Sequence, residues 1–352
     1  MTTLPVLLHV AAQHDYKLHS LDFNTTFMQG SLHEEIWLRC LPGFTGSFPA
    51  GTQWSLRRPV YGLRQAPREW HDTLRTMLAA LGFAPSTTDP SLFLRTDTSL
   101  PALYVFVYVL QRFGFRYSSP QSTPLPTGYS LSAPPSDESV EPSGLYPELV
   151  GCLMYLMTCT RRVLAYPLSI LARYVAPGRH RPEHWEAAKR VLRYLCSTSG
   201  MGLVLGGRGL VVLTGDADAS WVDDSATQRS SQGYTFSLGS GSVSWRSTHS
   251  SSFLSSSCEA EIYVGVMVAQ ELRWLICLLT DLGERPRSSP VLYVYNKAII
   301  ALCQEHRLEH RTKHIALRYF LARELQQRGQ LRLAYAGTRA NTAEIFTKAL
   351  QS

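Results

Sequence analysis

Asp216 and Asp218, Glu259 and Glu261, Tyr295 and Glu344 are the side chains whose types and spacing invite a chemical reading. Two-metal nucleases and polymerases need clustered carboxylates. Two Mg²⁺ ions about 3.5–4 Å apart flank a scissile phosphate, one activating water and one steadying the leaving oxygen. Hard oxygen ligands hold such ions, often with retained waters. The two aspartates end a strand-like stretch, and the two glutamates fall in the first turn of the next helix. Tyr295 ends a later strand and Glu344 opens a final helix. Strand ends and facing helix starts are where carboxylates from separate segments converge. The same spacing has an ordinary reading: acids at helix starts favour the dipole, and aspartates at strand ends cap turns.

The elements that must position these residues are legible from residue 202 onward. "GLVLG" (202–206) and "GLVVLTGDADASW" (209–221) read as strands, and "GYTFSLGSGSVSWRS" (233–247) as a hairpin closed on Gly and Ser. "SCEAEIYVGVMVAQELRWLICLLTDLG" is a long helix stopped at Gly283. "PVLYVYN" is a strand, "KAIIALCQ" a short helix, and "RTKHIALRYFLARELQQRG" a helix stopped at Gly329. "QLRLAYA" is a strand and "NTAEIFTKAL" a last helix. Three antiparallel strands followed by helix–strand–helix–strand–helix predict a mixed five-stranded sheet with helices on both faces.

Upstream the signals are mixed. Thr3, Leu4 and Pro5 read as a helix start. "APREWHDTLRTMLAALGF" (66–83) places Trp70, Leu74, Met77, Leu78 and Leu81 at helical intervals. "PSLFLRT" and "LPALYVFVYV" read as strands. The run "LYVFVYVLQRFGF" (103–115) breaks a rule: a strand buried on both faces should end in turn residues, yet Val109 runs straight into Leu110 and Gln111. Residues 117–147 hold 8 Ser and 7 Pro among 31. Such a segment buries too little apolar area to offset its ordering entropy, so it is expected to be a linker. Residues 144–176 and 181–198 read as apolar and amphipathic helices.

Composition narrows the class. With 45% hydrophobic and 17% charged residues in 352, the chain can fill two or three cores. A net charge of +7 permits nucleic acid or another anionic surface without establishing either. Seven cysteines, an odd number with no CxxC pair, argue for reduced thiols in an intracellular protein. The start lacks a secretory n-region, and no apolar run is expected to span a membrane. There is no GxGxxG, P-loop or Gly-x-Ser-x-Gly elbow. His306, His310 and His314 recur every fourth residue without a Cys or acid at ligand spacing. Mixed with Arg307, Arg311, Lys313 and Arg318, they read as a basic surface for phosphates or as a solvated helix face.

From about 144 to 352 the chain resembles the C-terminal part of copia-type retrotransposon polyproteins. The resemblance rests on "GCLMYLMTCTRRVLAYPLSILARYV", "AAKRVLRYL", "DADASW", "SQGYTFSLGSGSVSW", "SSSCEAEIYVG", "RTKHIALRYFLARE" and "NTAEIFTKAL", in the family's order. The family's last domain is ribonuclease H-like. Residues 1–109 resemble the same family's reverse transcriptase through "LDFNTTFMQGSLHEEIWLRCLPGF", "WSLRRPVYGLRQAPREW" and "YVFVYV".

The resemblance implies four segments: a partial palm at 1–110, a largely disordered junction at 111–147, a helical connection at 148–200 and a ribonuclease H-like domain at 201–352. It implies an ancestral RNA-directed DNA polymerase with a ribonuclease H acting on RNA–DNA hybrids. In the palm, Asp22 matches the first metal-binding aspartate. The family continues Tyr-Val with Asp-Asp where Leu110 stands here, so polymerisation is expected to be lost. In the last domain Asp218, Glu261 and Glu344 match carboxylates that bind Mg²⁺ and catalyse. Ser220 replaces a second acid, Glu344 replaces an aspartate, and Tyr295 stands where a third aspartate belongs. A phenol is neutral near pH 7 and a poor Mg²⁺ ligand, so cleavage is expected to be weakened or lost. The alternatives are a non-catalytic nucleic-acid-binding remnant and an unselected pseudogene product. Arg64, Arg68, Arg311, Lys313, His314 and Arg318 are the expected nucleic-acid contacts. No small-molecule cofactor, no membrane and a cytoplasmic or nuclear location are expected, and the oligomeric state is left open.

Overall fold

The computed structural model describes residues 2–16, 32–39, 52–60, 63–94, 121–126, 145–176, 179–206, 212–224, 229–250, 256–284, 288–297, 322–337 and 340–350, with isolated positions between them. Asp22, the run 103–115, and His306, His310, Arg311, Lys313, His314 and Arg318 lie outside the described residues. The chain forms two compact units, residues 1–15 together with 105–352, and residues 16–104. The first helix, α1 (Thr3–Gln13), packs within the larger unit.

The smaller unit pairs β1 (Trp37–Arg39) with β2 (Gln53–Ser55), then carries helix α2 (Ala66–Ala80) and the pair β3 (Ala84–Pro85) and β4 (Phe93–Leu94). Pro67 and Glu69 suit the first turn of α2, where a missing N–H and a negative charge are favourable. Gly82 ends the helix at a φ of 82°. Of the predicted apolar stripe, Met77 and Leu81 stay exposed.

The larger unit is built on one five-stranded sheet in the order β7-β6-β5-β8-β9. Strands β5 (Leu213–Asp224), β6 (Arg229–Leu238) and β7 (Gly241–His249) are antiparallel, and β8 (Val291–Val294) and β9 (Arg332–Tyr335) run parallel to β5. This matches the expected mixed sheet. The β6–β7 hairpin turns at Gly239, whose φ is 55°. "GLVLG" is not a strand, because it lies against α1. The Gly206 N–H donates to His9 Nδ1 at 3.1 Å, where a strand partner would have taken it.

Four more helices cover the sheet or adjoin it: α3 (Leu145–Cys159), α4 (Ala165–Leu171), α5 (Pro182–Ser197) and α6 (Ser257–Asp281). Side chains alternate along a strand, which separates the two faces. Ser244 Oγ donates at 2.6 Å to Glu271 of α6, so that face carries α6. Ser247, three residues on, donates to the Phe346 carbonyl on the other face, beside α4. Helix α1 joins the first face: Thr2 Oγ1 donates to Glu271 at 3.3 Å, and Val6 is fully buried. Ser256 caps α6 by accepting from the Glu259 N–H. By length and composition α6 has one membrane-length apolar run, Glu259–Asp281, contrary to the expectation that none exists. Val264, Val268, Leu272 and Leu275 of that run are buried in this unit, as in the core helix of a globular domain.

Helices α3, α4 and α5 share a core around Tyr146, Leu149, Leu168 and Leu192. The expected linker is partly docked on it. Leu125 is fully buried in this core, Arg190 donates to Thr123 Oγ1, and Ser197 Oγ donates to the Gln121 carbonyl. One apolar anchor with its neighbouring polar groups bonded is enough to order a short segment whose composition alone predicts disorder. Cys152, Cys159, Cys196 and Cys277 stand outside any disulfide among the described residues.

Candidate functional site

The DAD stretch of β5 is gripped by the segment after β9. Asn341 Nδ2 donates to the Ala217 carbonyl at 2.8 Å, Thr342 Oγ1 to Asp216 Oδ2 at 2.7 Å, and Thr347 Oγ1 to Asp218 Oδ2. Asn341 also accepts from the Ala343 N–H and starts a 3-10 turn, Thr342–Phe346, where a helix was expected. The turn is short because Ala343 and Phe346 must bury against the sheet while Thr342 and Thr347 reach the aspartates. Close approach is possible because Gly233, directly opposite Asp218, has no side chain.

Glu261, just past the first turn of α6, lies near Asp218. It is buried, and burial together with the neighbouring Asp218 pushes its carboxyl up to about 8. Burial also raises Asp216, opposed by its bond from Thr342 and by the Arg162 guanidinium. Arg162 Nη1 donates to Ser242 Oγ at 2.6 Å. Glu344 Oε1 accepts from Lys348 Nζ at 2.9 Å. Burial alone would lower Lys348, but the bond to Glu344 and the charges of Asp218 and Glu344 and the Tyr295 phenol raise it. Tyr295, at the end of β8, is about half exposed, and its ring packs beside Tyr335 with centroids 6.2 Å apart.

The expected residues thus fall into a neighbourhood, with differences. Asp218 and Glu261 face each other closely enough to interact. Asp218, Glu344 and Tyr295 all act on Lys348. Glu259 serves the helix start. Arg64 and Arg68 are exposed near the start of α2 in the other unit. Sequence reasoning missed Thr342, Thr347, Lys348 and Arg162. The Glu344–Lys348 spacing of four residues was the available signal; the others bond across more than 50 residues and carry no local sign.

Reverse transcriptases and ribonucleases H generally use divalent metal ions. The donor set here does not fit a two-ion centre. Among the described residues no three His, Cys, Asp or Glu side chains are grouped to hold an ion. At the position where an aspartate was expected Tyr295 offers only a phenol, and Lys348 already bonds Glu344.

Strand order, the helices on both faces and the carboxylate-bearing end of β5 define a ribonuclease H-like α/β unit. A sequence model of the reverse transcriptase (RNA-dependent DNA polymerase) family matches residues 1–113. Over 99% of its length the chain is 32% identical to the retrovirus-related Pol polyprotein from transposon RE2 of Arabidopsis thaliana. It is 28% identical, again over 99%, to that from transposon TNT 1-94 of Nicotiana tabacum. The chain belongs to the copia-type retrotransposon Pol polyproteins and spans 28% and 31% of the length of these two relatives. An N-terminal RNase H domain from Mycobacterium tuberculosis covers 39% of the chain at 12% identity with a TM-score of 0.29.

Proposed function

We propose that this Pol fragment associates with nucleic acid, RNA–DNA hybrid in the first instance, and neither extends a primer nor cuts RNA at the rate of an intact ribonuclease H. One observation carries this reading: at the acidic end of the sheet Lys348 holds Glu344, and a phenol stands at 295. Two-ion hydrolysis needs oxygens free to clamp both ions. Of the expected ligands among the described residues, that leaves Asp218 and Glu261. For the polymerase, the RE2 alignment is 410 positions long and the chain has 352 residues, so at least 58 positions of the alignment hold no residue of this chain. A loss of that size is in keeping with a sequence that runs from Val109 straight into Leu110, where the family resemblance expects two aspartates. Exposed Arg64 and Arg68 and the excess of positive charge suit phosphate contacts.

The test uses the full chain and a labelled RNA–DNA hybrid in Mg²⁺ or Mn²⁺. Binding that weakens steeply with salt and cleavage at background are expected, with primer extension also at background. Cleavage that disappears on Asp218→Asn, or extension that disappears on Asp22→Ala, would refute the proposal.

A further inference from the structure

The acidic end of the sheet carries its own cations. The Lys348 ammonium is 2.9 Å from Glu344 Oε1. Its backbone is fixed beside the aspartates, because the preceding residue, Thr347, bonds Asp218. Arg162, bonded to Ser242, adds a positive charge that acts on Asp216. A basic side chain therefore already meets Glu344, one of the carboxylates that a two-ion centre needs free. A divalent ion entering there meets the repulsion of a unit charge at short range, and one of its oxygens is already taken. Lys348 is supplied by the same tight turn that buries Phe346, so it does not leave the neighbourhood unless that turn is undone.

We propose that Lys348 is the resident cation of this site: its ammonium withdraws Glu344 from metal binding, so divalent ions reach only Asp218 and Glu261, weakly and in competition with it. The proposal rests on reading this end of the sheet as a degraded two-ion centre, and the two can fail separately. The experiment is a Mn²⁺ titration of the full chain, read by the paramagnetic resonance of the free ion, on wild type, Lys348→Met, Lys348→Arg and Asp218→Asn. Lys348→Met combined with Glu344→Gln or with Asp218→Asn completes the set. The Lys348 side chain is half exposed, so these changes leave the core intact, and a urea midpoint for each variant verifies it. Lys348→Met should bind Mn²⁺ about tenfold more tightly, the estimate for removing a partly screened charge beside the ion. Lys348→Arg should behave as wild type. Adding Glu344→Gln to Lys348→Met should return the affinity to the wild-type value. Unchanged or weaker uptake in Lys348→Met, with Asp218→Asn reducing uptake, overturns the role of Lys348 alone. Uptake indifferent to Asp218→Asn in both backgrounds overturns the site itself. Lys348→Met that weakens hybrid binding with Mn²⁺ uptake unchanged makes Lys348 a phosphate contact and also overturns the proposal.

Discussion

Replacing Gly233 by alanine tests the packing that delivers the last turn to the aspartates. A Cβ at 233 would lie 2.3 Å from Phe346 Cβ, 3.1 Å from its carbonyl carbon and 3.2 Å from its oxygen. Carbon atoms in contact prefer about 3.5–4.0 Å, so the turn must retreat by about 1 Å or more. Phe346 is fully buried, and its carbonyl accepts the Ser247 hydroxyl at 2.7 Å. The next residue holds Asp218. Overpacking of this kind costs about 1–3 kcal/mol, and loosening one of those bonds adds about 1 kcal/mol. For a unit of this size, about 2–4 kcal/mol corresponds to a Tm lower by roughly 5–10 °C. Gly265, in the middle of α6, is the comparison: an added Cβ there meets nothing within 4 Å. Gly265→Ala should stabilise by about 0.5–1 kcal/mol, through helix propensity and reduced freedom of the unfolded chain. Thermal and urea unfolding of both variants decide the matter. A Gly233→Ala protein as stable as wild type, or shifted in the same direction as Gly265→Ala, would refute the close approach of the last turn to β6.

Glu261 predicts a pH signature. Its carboxyl is raised from an ordinary value of 4.5 to about 8, so the folded state loses stability as pH rises from about 4.5 through about 8. Glu261→Gln, always neutral, should therefore gain on wild type in urea midpoint between pH 5 and pH 8.5; a pH-independent difference would contradict the shift. His184 should act oppositely. It is fully buried, its Nε2 has no hydrogen-bond partner, and burial lowers it from 6.5. The stability tied to its neutral form is present above about pH 6.5 and lost as pH falls below that. Wild type should weaken between pH 7.5 and 5.5 more than His184→Leu does, and equal losses would count against it. Val6 has no exposed surface, and Val6→Asp should destabilise the larger unit by about 2–4 kcal/mol by burying a charge or detaching α1. Unfolding identical to wild type would mean that residues 1–15 are not part of that unit's core.

The sequence by itself determined the five strands of the sheet and helix α6, because each carries its own period and its own stop. Gly239 closes the hairpin, Gly283 ends α6 and Gly329 stands before β9, all at positive φ. It also singled out Asp218, Glu261, Tyr295 and Glu344 as candidates, since they stand in motifs that a family resemblance can align. Tertiary structure alone decided who holds them. The bonds from Thr342 and Thr347 to the aspartates span 126 and 129 residues, and such pairs leave no mark in a local pattern. The same holds for the packing of α1 on the sheet, with Val6 buried and Thr2 bonded to Glu271, and for Leu125, whose Ser/Pro-rich surroundings predict a free linker. Local chemistry fixes dihedrals and periodicity over a few residues. Which apolar side chain fills a distant pocket, and which ammonium reaches a carboxylate first, depends on the whole set of surfaces that folding brings together.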